Sequence, residues 1–448
     1  MIDLLKKRSS NMFKPIFLLF FMALSLFAAN TEQCIHLLGR TSFNVDNLSL
    51  SKCIESKTYD LFVHAMIYDT QELDSNASLD FNTSIIRVQK NMPKANSEEK
   101  KIFRKELNQQ NLALRVWWFE KMLSTEQPFQ EKMLLFWHNH FTSSQQKVKQ
   151  PKLMYDQNQL FRKYALGNFK ELLHAIVRDP AMLLYLDNRN NNKTHPNENL
   201  ARELLELFTM GEGHYSEKDI KELARGLTGY TLNKNFEFIF RKKLHDFENK
   251  TFLGQEGKFD ADAMIDIILE HEATAVYIVT KLYKEFVSYT PNKQEILRLA
   301  KLFQENNYEL KPLMFAMLTS NDFIDEKNRA TMIKSPIELV VGTLRSLNYR
   351  SFDAKLGLKY TQKLSQNLLN PPNVKGWSGG KTWIDANTLL TRKEFLHKLT
   401  RGDEMMNMSF NQETLAQTLL PLKVYITPTN NKKEYLEMIL QHPAYQLK

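Results

Sequence analysis

Four ionisable side chains lie within nine residues of one otherwise apolar segment. Residues 194–208 contain Glu198, Arg202, Glu203 and Glu206 among leucines and a phenylalanine. Charged side chains beside a hydrophobic core are usually paired, bound to a ligand or directed towards water. These carboxylates and this guanidinium are therefore candidates for acid–base catalysis, metal coordination or anion binding.

The spacing of these residues predicts a helix with the charges on one face. Glu198, Arg202 and Glu206 follow one another at intervals of four, so on a helix they lie one above another. A ladder of ion pairs on a solvated face has the same spacing. The leucines around the rest of the circumference favour burial instead, and buried acids need partners.

A second candidate segment contains two imidazoles, which are common metal ligands. Residues 136–141 read Phe-Trp-His-Asn-His-Phe. Residues two apart on a helix point about 200° away from each other, so His138 and His140 share one metal only if the helix ends near Asn139. Two structural histidines packed in the core are the alternative.

Together, the two segments predict a polar, metal-binding pocket. The expected catalytic residues are Glu203, Glu206, Arg202 and His138, with the glutamates as general base, His138 as acid and Arg202 as an anion contact. The expected metal ligands are His138, His140, Glu203 and Glu206, and the expected cofactor is a divalent metal.

A third candidate is the loop of residues 371–383, which carries Trp377 and Trp383. Two prolines stiffen its start, and three glycines permit positive φ. Such a loop is either a packing clamp over the core or the lip of a pocket, where tryptophan faces stack on sugars.

Helical periodicity dominates the elements that must position these residues. Apolar side chains recur at steps of three and four over residues 112–123, 133–140 and 220–227. Strand patterns are limited to residues 236–240 and 424–427. The sequence therefore predicts a mostly α fold, a large irregular orthogonal bundle of many helices with one small β-hairpin.

The N-terminal residues resemble a secretory signal peptide. Basic residues precede an apolar run over residues 16–29 that is too short to span a bilayer comfortably and ends in Ala28 and Ala29. We expect cleavage near residue 28 and a periplasmic or secreted protein, with an uncleaved anchor as the alternative. Cys34 and Cys53, the only cysteines, either close a disulfide in an oxidising compartment or remain two unrelated thiols.

The charge distribution restricts the partners. The chain carries a formal net charge of +9, but its cations are scattered among acids without a basic stripe interleaved with aromatics. Nucleic acid is therefore not an expected partner. The surface is mildly basic and tolerates anionic polymers or membranes, and membrane contact is expected only through the signal segment.

Five segments, in this order, resemble the bacterial family named domain of unknown function 1800 (DUF1800). The resemblance covers about residues 100–400 and implies an exported, helical protein, but it implies no reaction. Members often occur beside an exported family that resembles sulfatases, which implies such a protein as partner. The matching segments are residues 135–141, 196–208 with Gly211, 250–254, 335–339 and 371–377.

These observations predict four regions and two functions. The regions are a signal peptide (1–28), an N-terminal arm with the first helices (29–99), the helical core (100–400) and a C-terminal helical extension packed on it (401–448). The first predicted function is hydrolysis of an anionic or polysaccharide substrate. The alternative is a non-catalytic periplasmic scaffold, or a partner of a sulfatase-like exported protein.

Overall fold

The computed structural model describes residues 29–70, 79, 81, 96–349, 352–401 and 412–448. The predicted signal peptide lies outside these residues. Among them, no helix combines the length and apolar character that crossing a bilayer requires. The 21 α-helices of the described residues are Thr31–Thr41, Asn47–Ile54, Tyr59–Tyr68, Ser97–Ser124, Pro128–His140, Gln145–Val148, Pro151–Lys163, Phe169–Ile176, Pro180–Tyr185, Asn199–Glu203, Glu217–Gly226, Ala261–Glu270, Glu272–Phe286, Lys293–Glu305, Leu310–Leu318, Asn321–Ile324, Pro336–Ser346, Ala354–Lys363, Ala386–Arg401, Gln412–Leu419 and Lys432–Gln441.

The β-strands of the described residues form two short antiparallel hairpins. Strand β1 (Tyr230–Leu232) pairs with β2 (Phe238–Phe240), and β3 (Lys250–Phe252) pairs with β4 (Gln255–Gly257). The mostly α prediction and the hairpin near residues 236–240 are confirmed. The strand predicted at residues 424–427 is wrong, because no neighbouring segment pairs with it.

One hydrophobic core extends from the first helix to the C-terminal residues. The helix Pro128–His140 lies deep within it, and Trp137 on this helix is fully buried against Phe141 and Phe169. Pro128 occupies the first turn, where the missing backbone N–H costs nothing. The helix that positions the two histidines is thus surrounded by protein on most sides.

A capping box begins the helix Pro336–Ser346. The Ser335 hydroxyl accepts a hydrogen bond from the backbone N–H of Glu338 (3.2 Å), and Glu338 Oε2 accepts one from the backbone N–H of Ser335 (2.7 Å). The cap fixes the Glu338 carboxylate at the start of the helix and leaves its second oxygen, Oε1, free for other donors.

The two cysteines form a disulfide between the first two helices. Cys34 and Cys53 are fully buried, with their Cα atoms 5.9 Å apart. A crosslink that closes a loop of this length stabilises the fold by about 3 kcal/mol in the chain-entropy treatment. The first of the two sequence-based alternatives for this pair is therefore the correct one.

Candidate functional site

The predicted acidic face lies partly in solvent. Arg202 forms ion pairs with Glu198 (3.2 Å) and with Glu217 of the next α-helix (2.8 Å). The three side chains are 36%, 37% and 69% exposed, respectively. This part of the segment therefore matches the solvated ladder that the spacing allowed, because Arg202 is neutralised at the surface and not in a closed pocket.

A π-helix follows the first part of the predicted stack of charges. The α-helix Asn199–Glu203 continues as a π-helix over Leu204–Thr209, in which the backbone N–H of Met210 bonds to the Leu205 carbonyl (3.0 Å). Glu206 therefore lies in a wider turn than the sequence predicted. Its place in the column of three charges stays a prediction.

Glu203 and Glu206 are both half-buried and lie close enough to repel each other. Burial, and then the charge of Glu206, raise the pKa of Glu203, while Lys375 opposes this shift. Lys375 belongs to the tryptophan loop, so the loop and the acidic segment are neighbours.

Both histidines of the Trp-His segment are buried among aromatic rings. His140 Nε2 donates a hydrogen bond to the Phe208 carbonyl in the π-helix (3.0 Å). The His138 ring packs against Trp118 and Trp377. Burial lowers the pKa of His138 to about 3 and that of His140 well below its usual value, so both imidazoles are neutral at pH 7.

The predicted metal ligands are not assembled as a group. Among the described residues, which include all four of them, no three His, Cys, Asp or Glu side chains are placed to hold one metal ion. The physical reason for the histidines is that the helix continues to His140, so two side chains two residues apart point in different directions. His138, His140, Glu203 and Glu206 therefore do not converge as the sequence led us to expect.

A different polar cavity, of about 70 Å³, lies where several parts of the chain meet. They include the helix Pro128–His140, the end of the helix Glu272–Phe286, the capped start of Pro336–Ser346, the tryptophan loop and the C-terminal residues. The residues that decide its chemistry are Lys132, Glu285, Glu338, Trp377, Trp383 and Lys448.

Glu338 is the central acceptor of this cavity. Its Oε1 atom accepts from Lys132 Nζ at 2.5 Å and also from Lys448 Nζ, and all three side chains are at most 3% exposed. Burial alone raises the pKa of a carboxyl group, but here the two ammonium groups prevail and hold the pKa of Glu338 at about 2. Glu338 is thus an ionised anchor for two buried lysines.

Lys132 uses all three of its ammonium hydrogens. Besides Glu338, it donates to the backbone carbonyl of Arg40 (2.5 Å), in the last turn of the first helix, and to that of Ser42 (3.2 Å), directly after the helix. Burial lowers the pKa of Lys132 to about 8. This lysine therefore joins the N-terminal helix to the cavity.

Three further buried cations lie around Glu338 and have no carboxylate of their own. Arg40 donates to the Val287 carbonyl (3.1 Å), and Arg392 donates to the Lys334 carbonyl (2.8 Å). Lys334 donates to the Tyr445 carbonyl (2.9 Å) and lies 4.0 Å from the centre of that ring. Burial lowers the pKa of Lys334 to about 7. Each is solvated by carbonyl oxygens, which carry no full negative charge.

Among the described residues, buried side-chain cations therefore outnumber carboxylates around Glu338, although the cavity wall itself contains two of each, Lys132 and Lys448 with Glu338 and Glu285. Five cations, Arg40, Lys132, Lys334, Arg392 and Lys448, interact with Glu338 and are at most 5% exposed. The second carboxylate, Glu285, lies 3.8 Å from Lys448 Nζ, and its side chain is 38% exposed. Burial raises the pKa of Glu285. The charge of Lys448 opposes this shift, and the charge of Glu338 adds to it.

Asn139, between the two histidines, holds the tryptophan loop on the cavity. Its Oδ1 atom accepts a hydrogen bond from the backbone N–H of Trp377 (2.7 Å). Gly376 has φ of +81°, and a Cβ atom there would lie 2.3 Å from Asn139 Oδ1, so only glycine fits. Trp377 is 5% exposed, and its Nε1 has no hydrogen-bond partner within the described part of the chain.

The cavity residues were missed in the sequence because each belongs to an ordinary pattern. Lys132 is one cation on an apolar helix, and Glu338 reads as the acid of a capping box. The family resemblance was the one sequence feature that could have indicated the cavity. Three of its five segments contribute residues to the cavity, namely 135–141, 335–339 and 371–377.

Comparison with known proteins gives one match. A family model described as a protein of unknown function, DUF1800, matches residues 36–447. No curated protein and no solved structure matches the chain. The match extends beyond residues 100–400, so it also covers the N-terminal helix that binds Lys132 and most of the C-terminal segment.

Proposed function

The chain belongs to the DUF1800 family, whose name carries no activity, and on this premise we propose that its cavity binds the acidic group of an anionic ligand. The observation that carries the proposal is the excess of buried cations around Glu338. Burying a charge without a counter-charge is costly, and carbonyl dipoles compensate it only in part. A bound anion supplies the missing negative charge.

The size of the cavity restricts what can enter. About 70 Å³ accommodates a few water molecules, or one carboxylate or sulfate group, but not a sugar ring. The acidic group of a larger ligand therefore enters, and the remainder lies at the mouth. Trp383 and Tyr289 line the cavity, and aromatic rings are the side chains on which sugars stack, which favours an acidic polysaccharide.

Trp377 supplies a second argument for a ligand. Its Nε1–H is buried and lacks a hydrogen-bond partner among the residues that the structure describes, and an unpaired buried donor costs about 1–3 kcal/mol. Because Trp377 lines the cavity, an oxyanion there is within its reach.

Hydrolysis is a second candidate, and one observation favours it. Glu285 and Glu338 both lie beside Lys448 Nζ, yet their pKa values are shifted in opposite directions. A carboxyl group with a raised pKa beside an ionised carboxylate is the usual arrangement of an acid and its partner in hydrolases. Glu285, at the more exposed position, is then the proton donor. In the predicted catalytic set of Glu203, Glu206, Arg202 and His138, Glu203 also has a raised pKa beside a second carboxylate, so that set stays a prediction.

Export and partners remain part of the proposal. The buried disulfide supports a periplasmic or secreted location, since such bridges persist in oxidising compartments. In the scaffold alternative, the Glu338 network only locks helices together, and the sulfatase-like protein is the functional partner. Metal binding also stays a prediction, which elemental analysis of the purified protein tests.

Titration calorimetry with sodium sulfate and sodium galacturonate at pH 6.5 tests anion binding. The wild-type chain should bind at least one of them, and Lys448→Met should weaken binding about tenfold or more because one charge-assisted contact is worth about 1.5–3 kcal/mol. The matched control is Lys301→Met, whose side chain is 77% exposed and does not line the cavity.

A second variant distinguishes a loss of binding from a folding defect in Lys448→Met. Trp377→Phe retains an aromatic ring and removes only the unpaired donor, so it should weaken binding with little change in melting temperature. Absence of binding by the wild-type chain, or equal loss in Lys301→Met, contradicts the proposal. Glu285→Gln, assayed on acidic polysaccharides, separates binding from hydrolysis.

A further inference from the structure

The end of the first hairpin and the turn after it expose both aromatic and basic side chains. We call Phe240, Arg241, Lys242, Lys243 and Phe247 the basic-aromatic patch. Phe240 is 39% exposed and Phe247 is 56% exposed, and the three cations between them are exposed. Two exposed phenylalanines this close to three cations are unusual on a protein that keeps most of its aromatic rings in the core.

The two phenylalanine rings are held in place by His245. Its ring centre lies 5.2 Å from that of Phe240 and 4.6 Å from that of Phe247, both edge to face. His245 is itself only 2% exposed, and its Nδ1 donates to the Thr228 carbonyl (2.8 Å). The rings therefore project from a rigid base.

The backbone of the patch is equally well anchored. The N–H of Arg241 bonds to the Gly229 carbonyl (2.8 Å), and the Leu244 carbonyl accepts from the N–H of Lys193 (2.9 Å). The Lys193 side chain is exposed and adds a fourth cation beside the patch. A preformed surface loses little conformational entropy on binding.

The cations of the patch are free to meet an external anion. Within the described residues, Arg241, Lys242, Lys243 and Lys193 form no ion pair. The nearest acid in sequence, Asp246, is already paired with Arg225 (2.7 Å). Glu237 and Glu248 are exposed near the ends of the patch and offset only part of its charge.

We infer that the basic-aromatic patch docks the protein on a bilayer that contains anionic lipids. Lysine and arginine bind lipid phosphates, while phenylalanine gains by entering the boundary of the acyl chains. A soluble anionic polymer would use the cations, but the phenylalanines would gain less because they remain hydrated. The cavity around Glu338 contains no patch residues, so the patch is a separate surface.

This inference is independent of the function proposed for the cavity. It also adds to the sequence-based prediction, in which the membrane is reached only through the signal segment. Docking through a folded surface would keep the mature protein at the membrane after the signal segment is removed.

Co-sedimentation of the full chain with lipid vesicles tests the inference. Vesicles of equal parts phosphatidylglycerol and phosphatidylcholine should bind the protein, and pure phosphatidylcholine vesicles should bind it far less. Lys242→Gln and Lys243→Gln should each weaken binding about fivefold, the usual effect of one cation near an anionic bilayer. Phe240→Ser with Phe247→Ser should weaken it about tenfold or more.

The matched control is the double variant Leu297→Ser with Lys301→Gln, which removes an equally exposed apolar side chain and a cation elsewhere. It should bind vesicles like the wild type. Equal binding to both vesicle types, or unchanged binding by the patch variants, overturns the inference. So does patch-dependent binding of soluble polygalacturonate without vesicle binding, which would identify a polysaccharide partner.

Discussion

The acidic face around Arg202 and the cavity around Glu338 use the same residue types in opposite environments. In both regions, hydrogen bonds between charged side chains link different secondary-structure elements. Arg202 and Glu217 are 36% and 69% exposed, whereas Glu338, Lys132 and Lys448 are at most 3% exposed. Water screens the first group and is excluded from the second. Burial, and not the density of charges in the sequence, separates a surface ladder from a candidate site.

The largest expected effect follows from removing the shared acceptor of the cavity. Glu338→Gln leaves Lys132 and Lys448 buried without their counter-charge, which should lower the free energy of unfolding by about 3–5 kcal/mol. Urea unfolding measures this loss of stability. Glu217→Gln is the matched change on the exposed face and should leave the free energy of unfolding nearly unchanged. Similar losses in the two variants would remove the contrast between the regions.

The second prediction concerns pH and the buried lysines. The pKa of Lys334 is about 7 in the folded chain and near 10.5 when unfolded, so between these values the unfolded chain binds more protons. Stability should therefore rise as pH increases from about 7 to 10, by up to about 1.4 kcal/mol per pH unit for this group. Lys334→Met should flatten this slope in urea unfolding at several pH values.

A bound anion should reverse part of that slope, because it favours the protonated lysines. Sulfate is therefore expected to raise the melting temperature more at pH 6 than at pH 9. A stabilisation by sulfate that does not change with pH, and persists in Lys334→Met, would indicate a general salt effect and not occupation of the cavity.

The smallest expected effect is at the residue that stands out most in the sequence. Arg202→Ala removes two exposed ion pairs and should change the free energy of unfolding by less than about 1 kcal/mol, with anion binding unchanged. Thermal melting measures the stability of this variant, and titration calorimetry measures its anion binding. A large loss of anion binding in this variant would return the acidic face to the role that the sequence indicated.

Local patterns predicted the local structure well. The periodicity predicted helices that the structure contains. Cys34 and Cys53 form a disulfide, which was one of the two alternatives for them. A capping box of Ser216 and Asp219, both close in sequence, also begins the helix Glu217–Gly226. These features depend on residues within a few turns of one another, so the sequence contains the information needed.

The cavity was not predictable in the same way. Lys132 lies 90 residues from Ser42, and Glu338 lies 110 residues from Lys448. No local pattern encodes such contacts. The π-helix was hidden for another reason, since residues 204–209 have ordinary helical preferences and the wider turn comes from tertiary contacts such as that of His140 with the Phe208 carbonyl.

The long separations within the cavity have a consequence for dissecting the molecule. Its groups come from residue 40, at the end of the first helix, through residue 448. No fragment that omits either extremity keeps the full set of contacts, so separately produced pieces cannot inherit the site. Anion binding by this protein, once measured, would therefore also report that the whole polypeptide has reached its native arrangement.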